Sequence, residues 1–308
     1  ARTMRVADPA LLTERDRHRF EMFAQARPPS ADAGWALAKA VRELKLEGKA
    51  LGVDEPSLEG ALRLRGFAGR IAPAEDVIRR ARLAKSPAEL RLMRLAAQAN
   101  VDAAMAAARQ ARTLGTSRKL RAAFYAEAAR RGNIGHFMVI SGASTETIDD
   151  PLVDGMSVSI DCVSTCRHYH GDFGRTIFIG EPRASVRKAA EAVATAWAEI
   201  REQLRPGMRF ADVPRIGRET LARLGASDLN VSFTPHSVGL FHTDHPQPDL
   251  VAPRGPDALM LEENMILSVD CPVFVAGLGG TVHLEDLMGI RPGGAEPIHD
   301  VPPPVIIV

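Results

Sequence analysis

Residues 156–176 read MSVSIDCVSTCRHYHGDFGRT. From Met156 to Cys162 this run alternates. Met156, Val158, Ile160 and Cys162 fall on one side, and Ser157, Ser159 and Asp161 on the other, because successive side chains of a strand point to opposite faces. The pattern predicts a strand with an apolar face toward a core and a polar face that carries one carboxylate. A second strand is predicted over His168 to Ile179, with His170, Asp172, Gly174 and Thr176 on one face.

The same arrangement recurs toward the C-terminus. A third strand, Asn264 to Pro272, sets Ile266, Ser268 and Asp270 against Met265, Leu267, Val269 and Cys271. A fourth, Gly280 to Leu287, sets Thr281, His283 and Glu285 against Val282 and Leu284. Four predicted strands thus each bring a carboxylate to a face of small or neutral residues, although acidic residues are depleted in strands. Gathered without cations, these groups repel and raise each other's pKa values. Two divalent ions held by bridging carboxylates remove that conflict. For any single carboxylate the plainer reading is a surface group on a half-exposed strand. For four together a shared site is the better account, and strand spacing alone leaves both open.

His236 lies in TPHSVGLFHTDHP, with His242 and His245 close behind and Asp244 between them. Three histidines within ten residues stand above a background of nine in the chain. An imidazole ligand is expected here, and the spacing does not say which histidine supplies it. Cys162 and Cys271 each follow one of the strand aspartates and are expected as buried core thiols.

Around these strands the pattern is helical. Residues 31–47 and about 57–65 read as helices flanking a short strand, Leu51 to Val53. This first part, 1–84, reads as a small α/β domain, short enough that strands are expected to be missing from its front. Ser86 then caps a long helix opened by Pro87 and Glu89, which sets the start of a second domain, 85–308. That domain contains an internal repeat. Gly115–Gly132 and Gly207–Gly225 are each a turn, a helix and a glycine stop, each after a longer helix (88–111 and 184–203) and before strand-like sequence. Two related halves leave a cleft between them.

At 308 residues, 45% apolar and 25% charged, the chain has the makeup of a globular protein with a core. A net charge of +1 supplies no electrostatic case for nucleic acid or an anionic membrane. No run approaches the roughly 20 apolar residues of a membrane span. Ala1 to Phe20 is charged throughout, unlike a secretory signal. Three cysteines argue against a disulfide framework and for the cytoplasm.

The order and spacing of these residues resemble the pita-bread metallohydrolases: prolidase, aminopeptidase P, methionine aminopeptidase and creatinase. The likeness rests on Asp161 and, eleven residues on, Asp172 with Tyr169 before and Arg175-Thr176 after; His236 with Gly239-Leu240; Leu261-Glu262 through Asp270; and Gly279-Gly280 before Leu284-Glu285-Asp286. It spans about residues 50–300 and includes the linker Lys85-Ser86-Pro87-Ala88-Glu89. It implies an α/β (α+β) pita-bread domain of two pseudo-symmetric halves behind a partial creatinase/prolidase-like domain. It further implies two divalent ions (Mn, Fe, Co or Zn) on Asp161, Asp172, His236, Asp270 and Glu285, and a metal-bridging hydroxide that attacks a small peptide. His236, His242, His245 and Asp270 would serve catalysis, His283 and Tyr169 would contact substrate, and the protein would be a homodimer.

The chain also departs from that pattern. Asp270 stands where Glu is usual, fifteen residues before Glu285, with Cys271-Pro272 in place of Pro-Gly. Thr243 replaces a histidine, and the segment SGASTETIDDPLVDG lacks one. His283 stands where an arginine able to clamp a substrate carboxylate is expected. An Xaa-Pro peptidase is the first expectation. A metal-dependent lyase resembling dimethylsulfoniopropionate lyase, or a creatinase-like metal-free hydrolase of a small amide or guanidino compound, is the alternative.

Overall fold

A computed structural model describes residues 6–25, 30–142, 148–244 and 259–308. The chain divides into two compact units, Ala1–Ile78 and Arg79–Val308.

In the first unit, a short 3-10 turn (Pro9–Leu11) precedes α1 (Glu14–Gln25), α2 (Ala33–Glu43), β1 (Leu51–Val53), α3 (Ser57–Arg63) and β2 (Ile71–Pro73). Asp32 starts α2 by accepting a 2.8 Å bond from the Trp35 amide, satisfying a donor that helix geometry leaves open. β1 and β2 pair in parallel. Val41, Leu62 and Phe67 form the small core. The helix predicted over 31–47 is trimmed at both ends, and α1, whose residues are all outside the core, has no counterpart among the predicted elements.

Helix α4 (Glu75–Leu83) carries the unit boundary. The second unit continues with α5 (Pro87–Ala108), α6 (Ala111–Leu114), α7 (Ser117–Arg130), β3 (Ile134–Ile140), β4 (Ser157–Cys166), β5 (Tyr169–Phe178), α8 (Ala184–Gln203), α9 (Asp212–Arg223), β6 (Thr234–Ser237), β7 (Ile266–Asp270), β8 (Met288–Arg291), β9 (Gly294–Pro297) and β10 (Val305–Ile307). The strands form two four-stranded sheets, ordered β10-β5-β4-β3 and β6-β7-β8-β9. α5 and α7 pack on the first sheet, and α8 and α9 on the second. This is the predicted repeat of two helices followed by strands. Its bracketing glycines, 115, 132, 207 and 225, all have positive φ, the conformation in which glycine ends a helix without a Cβ penalty. Ser86 and Glu89 form a reciprocal capping box at the start of α5. Among the described residues, no helix is long and apolar enough to cross a membrane.

Two expectations are corrected here, and for β4 the half-exposed alternative falls away. Arg167 and His168 both have positive φ (48° and 74°). They are the two-residue turn of the β4–β5 hairpin, which needs that conformation to match strand twist, so β5 begins at Tyr169 rather than His168. The polar face of β4 is not half-exposed. Ser157 and Ser159 are buried, because Thr281 lies across them: its N–H donates to the Ser157 carbonyl, and its hydroxyl accepts from the Ser159 amide. Finally, 280–287 is extended but is not a strand of either sheet. Glu285 exchanges backbone bonds with Gly174 of β5, while the amides of Cys271 and Val273 donate to Leu284 and Val282. The segment's bonds to either side are isolated pairs rather than the continuous run that makes a ladder.

Candidate metal centre

Register places the first pair of carboxylates. Asp161 pairs with Gly174, and Val163 with Asp172, so Asp161 and Asp172 are diagonal neighbours on one face of the hairpin. The second sheet repeats the arrangement. His236 pairs with Ser268, and Thr234 with Asp270, which makes His236 and Asp270 diagonal neighbours. Glu285 enters between the two sheets on the seam segment.

The side chains converge. His236 Nε2 is 3.4 Å from Asp270 Oδ1, 3.6 Å from Asp172 Oδ2 and 3.8 Å from Glu285 Oε1. His242 Nε2 stands 3.1 Å from Asp172 Oδ2, and the two imidazole rings are 5.2 Å apart. His283 Nε2 lies 3.1 Å from Glu285 Oε2, and the Ser268 hydroxyl donates to Glu285 Oε1. Among the described residues, three sets of donor atoms lie close enough to surround an ion: Asp172, His236 and His242; Asp161, His283 and Glu285; His236, Asp270 and Glu285. His245 falls outside the described residues. Tyr169 is turned to Glu89, to which its hydroxyl donates at 3.1 Å.

The electrostatics of the protein alone are strained. Asp172, His236, His283 and Glu285 are buried, while Asp270 keeps a third of its side chain exposed (33%). Asp172 Oδ1 and Asp161 Oδ1 are buried without a hydrogen-bond partner, a state that costs about 1–3 kcal/mol for each group, while Asp172 Oδ2 has only the imidazoles of His242 and His236 beside it. Burial and the Asp172 and Asp270 charges push Asp161 and Glu285 well above the usual carboxylate range. Burial works against ionising Asp172 and Asp270 too, but His242 beside the first and His236 beside the second outweigh it and hold both low. Burial also opposes a charge on His236, yet Asp270 and Asp172 raise it to about 9. His283 is pushed below its ordinary value by burial, against the pull of Asp270 and Asp172. Orphaned carboxylate oxygens, and carboxyls forced toward neutrality by their neighbours, are the signature of a site completed by cations. The donor set fits hard or borderline divalent ions.

Several residues support the site in roles that the sequence reading did not assign. Gly174 has no Cβ where His283 packs: one added there would lie 2.3 Å from His283 Nε2 and 2.9 Å from Glu285 Cβ. Behind Glu285, Arg175 is fully buried. It donates to the Asp286 carboxylate at 2.6 Å and to the Glu285 carbonyl at 2.7 Å, while Trp197 Nε1 donates to the other Asp286 oxygen at 3.0 Å. Asp244 is fixed between Arg82 (3.3 Å) and Lys85 (3.6 Å), which ties the His236–His242 loop to the linker before α5. Gly174, Arg175, Asp286, Asp244 and Lys85 appeared in the sequence only as neighbours of other motif residues, and Arg82 and Trp197 left no trace there. Cys162 and Cys271 are fully buried and unpaired, as expected.

Comparison with known proteins agrees with this picture. The chain is 30% identical over 148 residues to the Xaa-Pro dipeptidase of Pyrococcus furiosus, covering 48% of this chain and 41% of that protein. It is 30% identical over 244 residues to the probable dipeptidase PepE of Mycobacterium tuberculosis, covering 76% and 63%. The chain therefore spans less than two thirds of the length of these relatives. Among solved structures, the X-Pro aminopeptidase of Thermotoga maritima superposes with a TM-score of 0.78 at 18% identity, over 96% of this chain and 86% of that one. Prolidase from Pyrococcus furiosus superposes with a TM-score of 0.74 at 20% identity, over 94% and 86%. The two-sheet unit is thus the pita-bread fold. A family model, Metallopeptidase family M24, matches residues 91–292, a span that runs from α5 past Glu285 and takes in every residue of the convergent cluster. The chain belongs to metallopeptidase family M24.

Proposed function

We propose that the chain is a metal-dependent hydrolase of the Xaa-Pro peptidase type, with two divalent ions held by Asp161, Asp172, His236, Asp270 and Glu285. The observation that carries this reading is the convergence of three carboxylates, Asp172, Asp270 and Glu285, on His236, with Asp161 Oδ1 and Asp172 Oδ1 buried without a hydrogen-bond partner. The names of the relatives, Xaa-Pro dipeptidase and dipeptidase, support the substrate class. Two bound cations supply a water nucleophile acidic enough to ionise near neutral pH and polarise the scissile carbonyl. The chain's own residues orient and protonate. His242 keeps 35% of its side chain exposed, so its imidazole can donate a hydrogen bond to a carbonyl oxygen that gains charge. Ser268 and His283 hold the Glu285 carboxylate from its two oxygens. We further propose a homodimer, which sedimentation equilibrium checks, and a cytoplasmic location, consistent with three free thiols.

The test is release of the N-terminal amino acid from Xaa-Pro peptides by protein loaded with Mn or Co, beside Asp172→Ala. The wild type should hydrolyse the peptides and the variant should lose both metal and turnover. Without an arginine at position 283, dipeptides such as Ala-Pro should be cleaved more slowly than longer peptides, by about one to two decades in kcat/KM, the worth of a charge-assisted bond. A fully metal-loaded wild type that cleaves no Xaa-Pro peptide would overturn the proposal.

A further inference from the structure

Resting on the two-cation reading, we propose that His283 is itself a metal ligand, completing the ion on the Asp161 side through Nε2. The ring is 5% exposed, and its Nε2 lies 3.1 Å from Glu285 Oε2. Donors bound at about 2.1 Å to one ion lie about 3.0 Å apart when adjacent and about 4.2 Å apart when opposite. Asp161, His283 and Glu285 offer three donor atoms all within 4.8 Å of one another, a spacing that small side-chain movements close around an ion.

The ring is held in that position. The His283 amide donates to Thr176 Oγ1 at 3.0 Å, and the Thr176 hydroxyl donates to the His283 carbonyl at 2.9 Å. These two bonds fix the backbone of residue 283 against β5. The ring then lies over Gly174, the residue paired with Asp161, in space that any other residue would fill with a Cβ 2.3 Å from Nε2.

The consequence is symmetry between the two ions. Without His283, the Asp161 side has carboxylates only. With it, each side has one imidazole: His283 beside Asp161 and Glu285 on one, His236 beside Asp270 and Glu285 on the other, with Asp172 as a further carboxylate. A second imidazole moves the site's preference from Mn toward Co and Zn. The competing role for His283 is a donor to Glu285 that never touches metal.

The two roles separate in the wild-type chain and in His283→Gln, which keeps a side-chain donor. Metal per chain and the affinity of each site are measured by equilibrium dialysis with Co(II), and imidazoles per metal by X-ray absorption at a Co(II) concentration that fills both sites. As a ligand, His283 contributes half an imidazole per metal averaged over two ions. The variant should lose that half, and one site should lose affinity by at least about tenfold while the other holds. An unchanged imidazole count, with or without weaker binding, would leave His283 a positioning residue and overturn the proposal. A wild type that binds fewer than two ions would instead count against the two-cation reading.

Discussion

At Gly174 a single missing atom makes room for the site. Gly174→Ala drives a Cβ into the His283 ring and against Glu285 Cβ, neither of which can retreat, because both are buried and bonded. We expect a loss of about 1–3 kcal/mol in stability, as for other overpacked cores, together with impaired metal binding. Unfolding by urea and metal analysis of the same sample check both. His236 makes a separate prediction. In the metal-free chain its pKa is raised from 6.5 to about 9, so its contribution to stability is complete below pH 6.5. It is lost as pH rises through 9. The advantage of metal-free wild type over His236→Gln should therefore shrink across that window. Because a ligand imidazole must be unprotonated, metal uptake near pH 7.5 should also release protons. Calorimetry in buffers of differing ionisation enthalpy reads that release, and its absence would show His236 already neutral.

The decisive element is the seam segment 280–287. It owes its position to bonds on two sides, and the Arg175–Asp286 pair locks it from behind. Arg175 and Asp286 are essentially without exposure, and Arg175 also holds the Glu285 carbonyl. Removing one partner leaves the other charge buried and unpaired, which costs about 3–5 kcal/mol. Asp286→Ala should lose that much in denaturant unfolding and should loosen metal at Glu285, although residue 286 is not among the proposed ligands. A loss below about 1 kcal/mol would mean that water or the Pro302 carbonyl, already bonded to Arg175 at 3.2 Å, takes over.

Across the whole catalytic unit, the proposed ions act as a cross-link. Asp161 and Asp172 come from one sheet, His236 and Asp270 from the other, and Glu285 from the seam between them. An ion that binds only the folded chain stabilises it by about 2.7 kcal/mol at a free concentration of one hundred times its Kd. Loading with Mn or Co should raise Tm by several degrees, and a chelator should reverse the rise. In Asp270→Ala the increment should be smaller. Equal Tm values with and without metal would show that the two halves do not depend on a shared ion.

Strand alternation, glycine stops and the Ser86–Glu89 cap are local, and period and capping chemistry express them wherever the segment folds. That is why β4, β7, α5, the repeated helix pairs and the carboxylate-bearing faces were legible residue by residue. The meeting of Asp161, Asp172, His236, Asp270 and Glu285 was legible only as a family resemblance, since no spacing specifies contact across 124 residues of chain from Asp161 to Glu285. Three features depended on tertiary structure alone. The polar face of β4 became buried because another segment lies over it. Residues 280–287 became a seam because they bond to β4 and β5 on one side and to 271–273 on the other. His283 turned to Glu285 because Gly174, distant in sequence, leaves the space for its ring. Each is settled by which backbone comes to lie beside another, and that is a property of packing, which no window of sequence contains.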